Sequence, residues 1–241
     1  YILDKVNKPA IAAKICGINN IIGPGIGKQK KWLTVKKYLT NEDWKLSYSE
    51  QSQKILNINS ITINNIYPEI NVDIKRFKEG NSDLEIEGKK IAFGIDSFED
   101  YKMWYEEDFV ELANRLYEKN LFDYIYLICG KEKSYLAKNI IELSKKNYFI
   151  DCSDKNLNGI IFALKNSNFL VGNNSGPINL AAALNIKSFG LIANDPVDEL
   201  KYSKIQIITP ENYNNIRCRE RKGMKKLKVE QVYNKIMEGL N

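Results

Sequence analysis

The chain has 241 residues, of which 44% are hydrophobic and 27% are charged, so it holds enough apolar side chains for a sizeable core. No run approaches the roughly 18 apolar residues of a membrane span, and the first residues lack the pattern of a secretory signal. The net charge of +6 favours an anionic ligand or an anionic membrane surface. We therefore expect a cytoplasmic globular protein and exclude an integral membrane protein.

The four cysteines, Cys16, Cys129, Cys152 and Cys218, are isolated, and none has Cys-x-x-Cys spacing. Cys129 and Cys152 lie in apolar runs, which is typical of buried free thiols. The chain contains no histidine. We therefore predict no zinc site, no disulfide framework and no metal or other cofactor.

The first part of the chain shows two helical patterns. Residues 8–16 have helical spacing, and Gly17 is placed to end that helix. Residues 42–56 form a second, partly apolar pattern that Thr40 or Asn41 can cap.

Between these helices, Gly23–Lys28 reads Gly-Pro-Gly-Ile-Gly-Lys, a run whose glycines could wrap a phosphate. Its spacing matches neither Gly-x-x-x-x-Gly-Lys-Ser/Thr nor Gly-x-Gly-x-x-Gly, and no periodic helix follows directly. We therefore interpret it as a turn.

Two short apolar runs, 20–22 and 61–63, predict strands. From 60 to 88 the pattern loosens and becomes polar, as in a linker or a sheet edge. We place the domain boundary there, with a partial first domain over 1–85 and a second domain over 86–241.

The second domain alternates apolar strand runs with helical patterns. The predicted strands are 90–95, 123–129, 148–150, 169–172, 188–192 and 205–208, and the predicted helices are 106–119, 134–143, 157–165, a central one from about Pro177, and 229–240. This order implies a parallel, doubly wound sheet. Such sheets bind ligands beyond the carboxyl ends of their strands.

The central turn has the composition of an anion site. Asn174 or Ser175 can cap the helix that follows, Gly176 leaves the backbone uncovered, and Pro177 suits a first helical turn. The leading amides of such a helix and its dipole favour a diphosphate. The alternative is an ordinary strand-helix connection whose polar turn binds nothing.

The run Gly172–Leu184, Gly-Asn-Asn-Ser-Gly-Pro-Ile-Asn-Leu-Ala-Ala-Ala-Leu, resembles the signature of the heptosyltransferase family, glycosyltransferase family 9. In that family the segment binds the diphosphate of a nucleotide sugar. Asn174 stands where the family usually has Asp, and Asn179 stands where it usually has His. Asn174 keeps a capping side chain but cannot act as a base, and Asn179 offers a hydrogen bond without a titrating imidazole.

Three further segments resemble the family. Lys102 and Trp104 match its Lys-x-Trp motif, which implies that Lys102 contacts phosphate while Trp104 packs beneath it. Glu132 stands near the family's ribose-binding Glu. Asp195-Pro196 matches a turn after the next strand. Without the resemblance, Lys102 reads as an exposed lysine and Glu132 as part of a solvated charge run.

Near the C-terminus, Arg217-Cys218-Arg219 and Met224 resemble a family segment with two cysteines, but Gly223 stands where the second one would be. The resemblance implies a GT-B-like fold of two Rossmann-like domains, of which the N-terminal one is incomplete here. The family's general base, an Asp near the N-terminus, has no equivalent in this sequence.

The resemblance implies a glycosyltransferase that moves a sugar, with ADP-heptose as the expected donor, onto a lipopolysaccharide core or related lipid-linked glycan. It further implies inversion, no metal, and a location in the cytoplasm or at the cytoplasmic face of the inner membrane. One alternative is a catalytically silent relative that binds a nucleotide or glycan. Another is a nucleic-acid module over 217–228, which carries charge but lacks interleaved aromatics, so we predict no nucleic-acid partner.

Overall fold

The computed structural model describes residues 1–3, 5–200 and 204–240. The chain divides into two units, Tyr1–Pro68 and Glu69–Asn241. Within the described residues, no helix is both long enough and apolar enough to cross a bilayer.

The first unit contains helix α1 (Lys8–Ile15) and helix α2 (Tyr48–Ile58). Both helices were expected, but the strands predicted at 20–22 and 61–63 are wrong, since the described part of this unit forms no strand. Ile21 shows the reason: its N–H donates to the Thr34 hydroxyl (2.7 Å) and its carbonyl accepts from the Thr34 amide (3.1 Å). A local loop pairing thus replaces a strand ladder.

Helix α2 begins later than the sequence pattern suggested. Ser47 is its N-cap, and a capping box joins the Ser47 hydroxyl to the Glu50 amide (3.3 Å) and the Glu50 carboxylate to the Ser47 amide (2.8 Å). The predicted cap at Thr40 or Asn41 is therefore wrong, because the reciprocal Ser-x-x-Glu pair lies closer to the apolar run. Residues Glu42–Lys45 form a separate 3-10 turn.

In the earlier glycine-rich run, Gly23–Lys28, one amide is already bonded within the first unit. The Gly25 amide donates to the side-chain oxygen of buried Gln29 (2.9 Å), and Gln29 donates onward to the Val6 carbonyl (3.0 Å). The interpretation of Gly23–Lys28 as a turn is thus supported by where its hydrogen bonds go.

The second unit is built on a six-stranded parallel sheet in the order β3-β2-β1-β4-β5-β6. The strands are β1 Lys90–Gly94, β2 Tyr124–Ile128, β3 Phe149–Asp151, β4 Leu170–Asn173, β5 Ser188–Leu191 and β6 Ile205–Ile208. The helices are α3 Lys75–Lys78, α4 Glu106–Glu118, α5 Ser134–Ser144, α6 Leu157–Lys165, α7 Gly176–Ala183 and α8 Val229–Leu240. The doubly wound parallel sheet is confirmed.

Alternate residues of the strands face two separate apolar layers. On β1, Ile91 and Phe93 pack into a core with α4, α5 and α8, whereas Ala92 packs into a core with α6 and α7. Every residue of β4 is buried. The near-continuous apolar runs in the sequence follow from this, because a parallel strand covered on both faces has no solvent side.

The division between the units falls at Pro68, ahead of the expected boundary after residue 85. Segment 69–85 lies with the second unit because its few apolar side chains pack there. Leu84 is fully buried against the sheet, and its carbonyl accepts a hydrogen bond from the Tyr126 hydroxyl (2.5 Å). A few apolar side chains scattered among many polar ones are a weak sequence signal.

Close backbone contact between β1 and β4 leads to a stability prediction. A Cβ added at Gly172 would lie 3.1 Å from the Gly94 Cα and carbonyl oxygen, whereas one added at Gly176 would meet nothing within 4 Å. We expect Gly172→Ala to lower the free energy of unfolding by roughly 1–3 kcal/mol relative to Gly176→Ala. Both changes restrict the unfolded chain equally, so urea denaturation of the pair isolates the contact. Equal free energies of unfolding for the two variants would contradict this prediction.

Candidate functional site

Strands β1 and β4 are neighbours in the sheet, but the chain continues from them in opposite directions, to β2 and to β5. Such a switch point opens a crevice beyond the carboxyl ends of the two strands. Two hydrogen bonds join the loops that follow: the Ser97 hydroxyl donates to the Asn174 carbonyl (3.4 Å), and the Trp104 amide donates to Asn173 Oδ1 (2.9 Å). The loops of the crevice are therefore held together.

Helix α7 begins at this crevice. Ser175 occupies the N-cap position in an extended conformation, but its side chain makes no capping hydrogen bond. Among the described residues, no atom lies within 4 Å of the position where a Gly176 side chain would extend, and Pro177 lies in the first turn as expected. The first amides of the helix thus face the crevice without a side-chain cap.

Three buried polar atoms cluster around this helix start. Asn173 Nδ2, Ser175 Oγ and Asn179 Oδ1 have no hydrogen-bond partner among the described residues. The other end of the Asn179 amide donates to the Ser175 carbonyl (3.0 Å), which fixes its orientation. A buried polar atom without a partner costs about 1–3 kcal/mol, so such atoms are few in folded proteins. Their grouping makes this turn a candidate polar binding site.

Lys102 follows β1 and is largely buried, with 14% of its side chain exposed. Its ammonium lies 2.8 Å from a Glu99 oxygen and 2.9 Å from Asp195 Oδ2. Asp195, beyond the end of β5, is only 2% exposed and also pairs with Arg217 Nε (2.9 Å). The hydrogen bond from Lys102 holds the pKa of Glu99 below its ordinary value. The interpretation of Lys102 as an ordinary exposed lysine is therefore wrong.

Trp104 connects the crevice to the C-terminal segment. Its ring is buried edge-on against Phe109, with centroids 5.1 Å apart, and its indole N–H donates to the Leu227 carbonyl (3.0 Å). Arg221 donates to the carbonyls of Met103 and Trp104 (both 3.1 Å) from the other side. This places the aromatic ring in the core, where it supports the loop that carries Lys102.

The loop after β2 contributes a lysine that sequence reasoning missed. Lys133 donates to the Ser97 carbonyl and to Asp100 Oδ1, both at 2.6 Å, and lies 3.5 Å from Asp96 Oδ1. Burial alone would lower the pKa of Lys133, but the hydrogen bond that it donates to Asp100 and the charge of Asp96 raise it. Glu132 is exposed and makes no hydrogen bond or ion pair with any described residue, so its role toward a ribose stays a prediction.

Beyond β5, buried Asn194 explains a departure from the family pattern. Its side-chain N–H donates to the Tyr101 main-chain carbonyl. Its main-chain carbonyl accepts from the Cys218 amide (2.8 Å). A Cβ at Gly223 would lie 1.6 Å from Asn194 Oδ1. A side chain at position 223, where the family has its second cysteine, would therefore have to displace the Asn194 side chain, which fills that space.

No disulfide joins the cysteines. All four are free thiols, and burial raises the pKa values of Cys129 and Cys152 to about 12. Across 1–3, 5–200 and 204–240, no group of three or more His, Cys, Asp or Glu side chains is placed to hold a metal ion.

A known protein family and several solved structures match this chain. The family model described as glycosyltransferase family 9 (heptosyltransferase) matches residues 29–236. No curated protein sequence matches the chain significantly.

Among solved structures, the chain is similar to the E. coli ADP-heptose LPS heptosyltransferase II, with a TM-score of 0.77 and 16% identity over 98% of this chain and 74% of that one. It is also similar to a glycosyl transferase family 9 protein from Veillonella parvula (TM-score 0.73, 15% identity, 96% and 76% covered). A third similar structure is E. coli heptosyltransferase WaaC with ADP (TM-score 0.69, 17% identity, 98% and 71% covered). These likenesses confirm the GT-B-like fold. Since the family model covers most of the chain, the protein belongs to glycosyltransferase family 9, the heptosyltransferase family.

Proposed function

We propose that this protein binds ADP-heptose at the start of α7 and transfers the heptose to a lipopolysaccharide core or a related lipid-linked surface glycan. The observation that carries the proposal is the uncapped helix start at the sheet's switch point, surrounded by three buried polar atoms. Family membership supports the reaction class, and similar solved structures contain ADP or ADP-2-deoxy-2-fluoro heptose.

The diphosphate of the donor would lie against the leading amides of α7. Backbone N–H groups and the positive end of the helix dipole stabilise negative charge there. Asn174 and Ser175 add neutral polar groups at the same turn, and Asn179 follows one helical turn later. Glu132, beyond β2, would accept hydrogen bonds from the ribose hydroxyls.

Lys102 would supply the counter-charge. Asp195 and Glu99 hold its ammonium beyond the carboxyl end of the sheet, and Arg217 balances the second oxygen of Asp195. A shielded ammonium interacts more strongly with phosphate than an exposed one, because less water screens the charges. Lys102 and the helix amides together would stabilise the leaving diphosphate without a metal ion.

The transfer would be a single displacement with inversion. An acceptor hydroxyl oxygen forms a bond to the anomeric carbon on the face opposite the diphosphate, the bond from that carbon to the diphosphate oxygen breaks, and ADP leaves. The hydroxyl proton passes to a base. We assign that base to no residue of this chain. A lipid-linked acceptor would place the reaction at the cytoplasmic face of the inner membrane.

A second candidate function is nucleotide-sugar binding without transfer. It is favoured by Asn174 and Asn179, which stand where the family usually has Asp and His, and by the absence of histidine from the sequence. Both candidates use the same donor site, so binding and turnover must be measured separately.

We expect Lys102→Met to weaken ADP binding roughly 10- to 100-fold, because a hydrogen bond to a charged group contributes about 1.5–3 kcal/mol. AMP binding should change much less, since the ammonium is proposed to contact the diphosphate. Isothermal titration calorimetry measures both ligands. The control is Lys131→Met, which removes an exposed lysine from the neighbouring loop. If Lys102→Met bound ADP with unchanged affinity, Lys102 would not be the counter-charge for the diphosphate.

Ser175 and Ser47 are both N-cap residues, so the same substitution at each position can be compared. Ser175 makes no cap bond, whereas Ser47 forms a capping box. We expect Ser175→Ala to weaken ADP binding several-fold without loss of stability, and Ser47→Ala to lower the free energy of unfolding by about 1 kcal/mol without affecting ADP. Thermal unfolding and calorimetry separate the two effects. The reverse pattern would show that Ser175 has a structural role only.

Turnover is tested by the release of ADP from ADP-heptose with and without a lipopolysaccharide-core acceptor. We expect release to depend on the acceptor, and we expect the Asn174→Asp/Asn179→His variant to retain ADP binding. If the protein binds ADP but shows no acceptor-dependent release, and the double variant gains it, the non-transferring candidate is correct. Absence of ADP binding would contradict both.

A further inference from the structure

The most exposed large apolar side chain among the described residues lies beside the crevice. Phe98 is 100% exposed, whereas the next, Ile15, is 80% exposed. Single exposed apolar residues are common on protein surfaces and by themselves indicate no function. Phe98 differs in its place, because it directly follows Ser97, whose hydroxyl donates to the Asn174 carbonyl at the turn before α7 (3.4 Å). The aromatic ring is therefore at the edge of the proposed diphosphate site.

The loop that carries this ring is held on both sides of it. Ser97, on one side, is only 4% exposed, and its carbonyl accepts a hydrogen bond from Lys133 (2.6 Å). The same ammonium donates to Asp100 Oδ1 (2.6 Å), and Glu99 pairs with Lys102 (2.8 Å). The backbone at the ring is thus fixed before any ligand arrives. A group that is already in place loses less freedom on binding, which favours affinity.

Acidic side chains follow the ring directly. Glu99 and Asp100 are 40% and 76% exposed, and an ionised carboxylate only accepts hydrogen bonds. The hydrogen bond from Lys133 holds the pKa of Asp100 below its ordinary value, so this carboxylate is ionised at neutral pH. A ligand that covers the ring therefore needs an apolar face and hydrogen-bond donors at its rim. A sugar ring has both, since its C–H groups form an apolar face and its hydroxyls surround that face.

We propose that Phe98 is a specificity-determining residue that stacks on the C–H face of a pyranose ring, whose hydroxyls donate to Asp100. The inference rests on the proposed function, because this pyranose is either the sugar joined to the diphosphate or the acceptor sugar that receives it. A purine also stacks on aromatic rings, but it offers the carboxylate only an amino group. A second phosphate is disfavoured by the charge of Glu99 and Asp100.

The test is calorimetry with three ligands: ADP, ADP-heptose and a lipid-free lipopolysaccharide-core oligosaccharide. We expect Phe98→Ala to leave ADP affinity unchanged and to weaken one of the two sugar ligands roughly 3- to 10-fold, because an aromatic contact is lost. A loss for ADP-heptose identifies the donor sugar, and a loss for the oligosaccharide identifies the acceptor sugar. Phe98→Tyr keeps the ring and should bind all three ligands as the wild type does.

The matched control is Tyr135→Ala, which removes a half-exposed aromatic ring from α5 and should leave all three affinities unchanged. The thermal unfolding midpoint of Phe98→Ala should equal that of the wild type, because the ring is fully exposed. The inference is overturned if Phe98→Ala binds both sugar ligands normally, or if Phe98→Tyr loses as much affinity as Phe98→Ala. It is also overturned if ADP and ADP-heptose weaken equally, since the ring would then stack on the nucleobase.

The same measurements keep this inference distinct from the proposed function. If the wild type does not bind ADP, the proposed donor site itself is wrong. If the wild type and Phe98→Ala bind ADP and both sugar ligands equally well, the donor site stands and only the role of Phe98 is overturned.

Discussion

The hydrogen bond from the Trp104 amide to Asn173 Oδ1 (2.9 Å) is the constraint on which the crevice depends. Asn173 ends β4 and is fully buried, so its side chain can bond only to what is packed directly against it. Trp104 in turn donates from its indole to the Leu227 carbonyl. One chain of contacts thus joins the central strand, the loop after β1 and the C-terminal segment. Lys102 lies two residues before Trp104, so its position is set by this packing.

Charge is handled in two different ways in the second unit. Around the crevice, cations are paired with carboxylates at close range: Lys102 with Asp195 and Glu99, and Lys133 with Asp100. Removing one member of such a shielded set leaves an uncompensated charge, which is costly and makes the geometry hard to vary. In the segment 217–228 most cations are instead exposed, and Lys222 pairs only with the exposed Glu220. Exposed charges cost little and act over the range set by salt. The first arrangement suits a defined small ligand.

Some elements of the site were predictable from local sequence and others were not. Lys102 and Trp104 were identified through a short motif, and the start of α7 through its strand-turn-helix pattern. Lys133 and Arg221 were missed because each is one cation among many, and their partners lie in distant segments such as Ser97 and Met103. The helix cap at Ser47 was missed because Thr40 and Asn41 are equally good capping residues by type. Side-chain identity alone did not decide which of them meets a free amide.

By itself, the sequence determined the alternation of strands and helices in the second unit, its parallel sheet, the turn at Ser175-Gly176 and the family. These depend on apolar periodicity and on residues a few positions apart, which local sterics and hydrogen bonding control. Only the tertiary structure decided that Lys102 lies between Glu99 and Asp195, that the Asn194 side chain fills the space beside Gly223, and that the first unit's short apolar runs are not strands. These outcomes depend on which distant groups come into contact, because burial and pairing are properties of the packed chain.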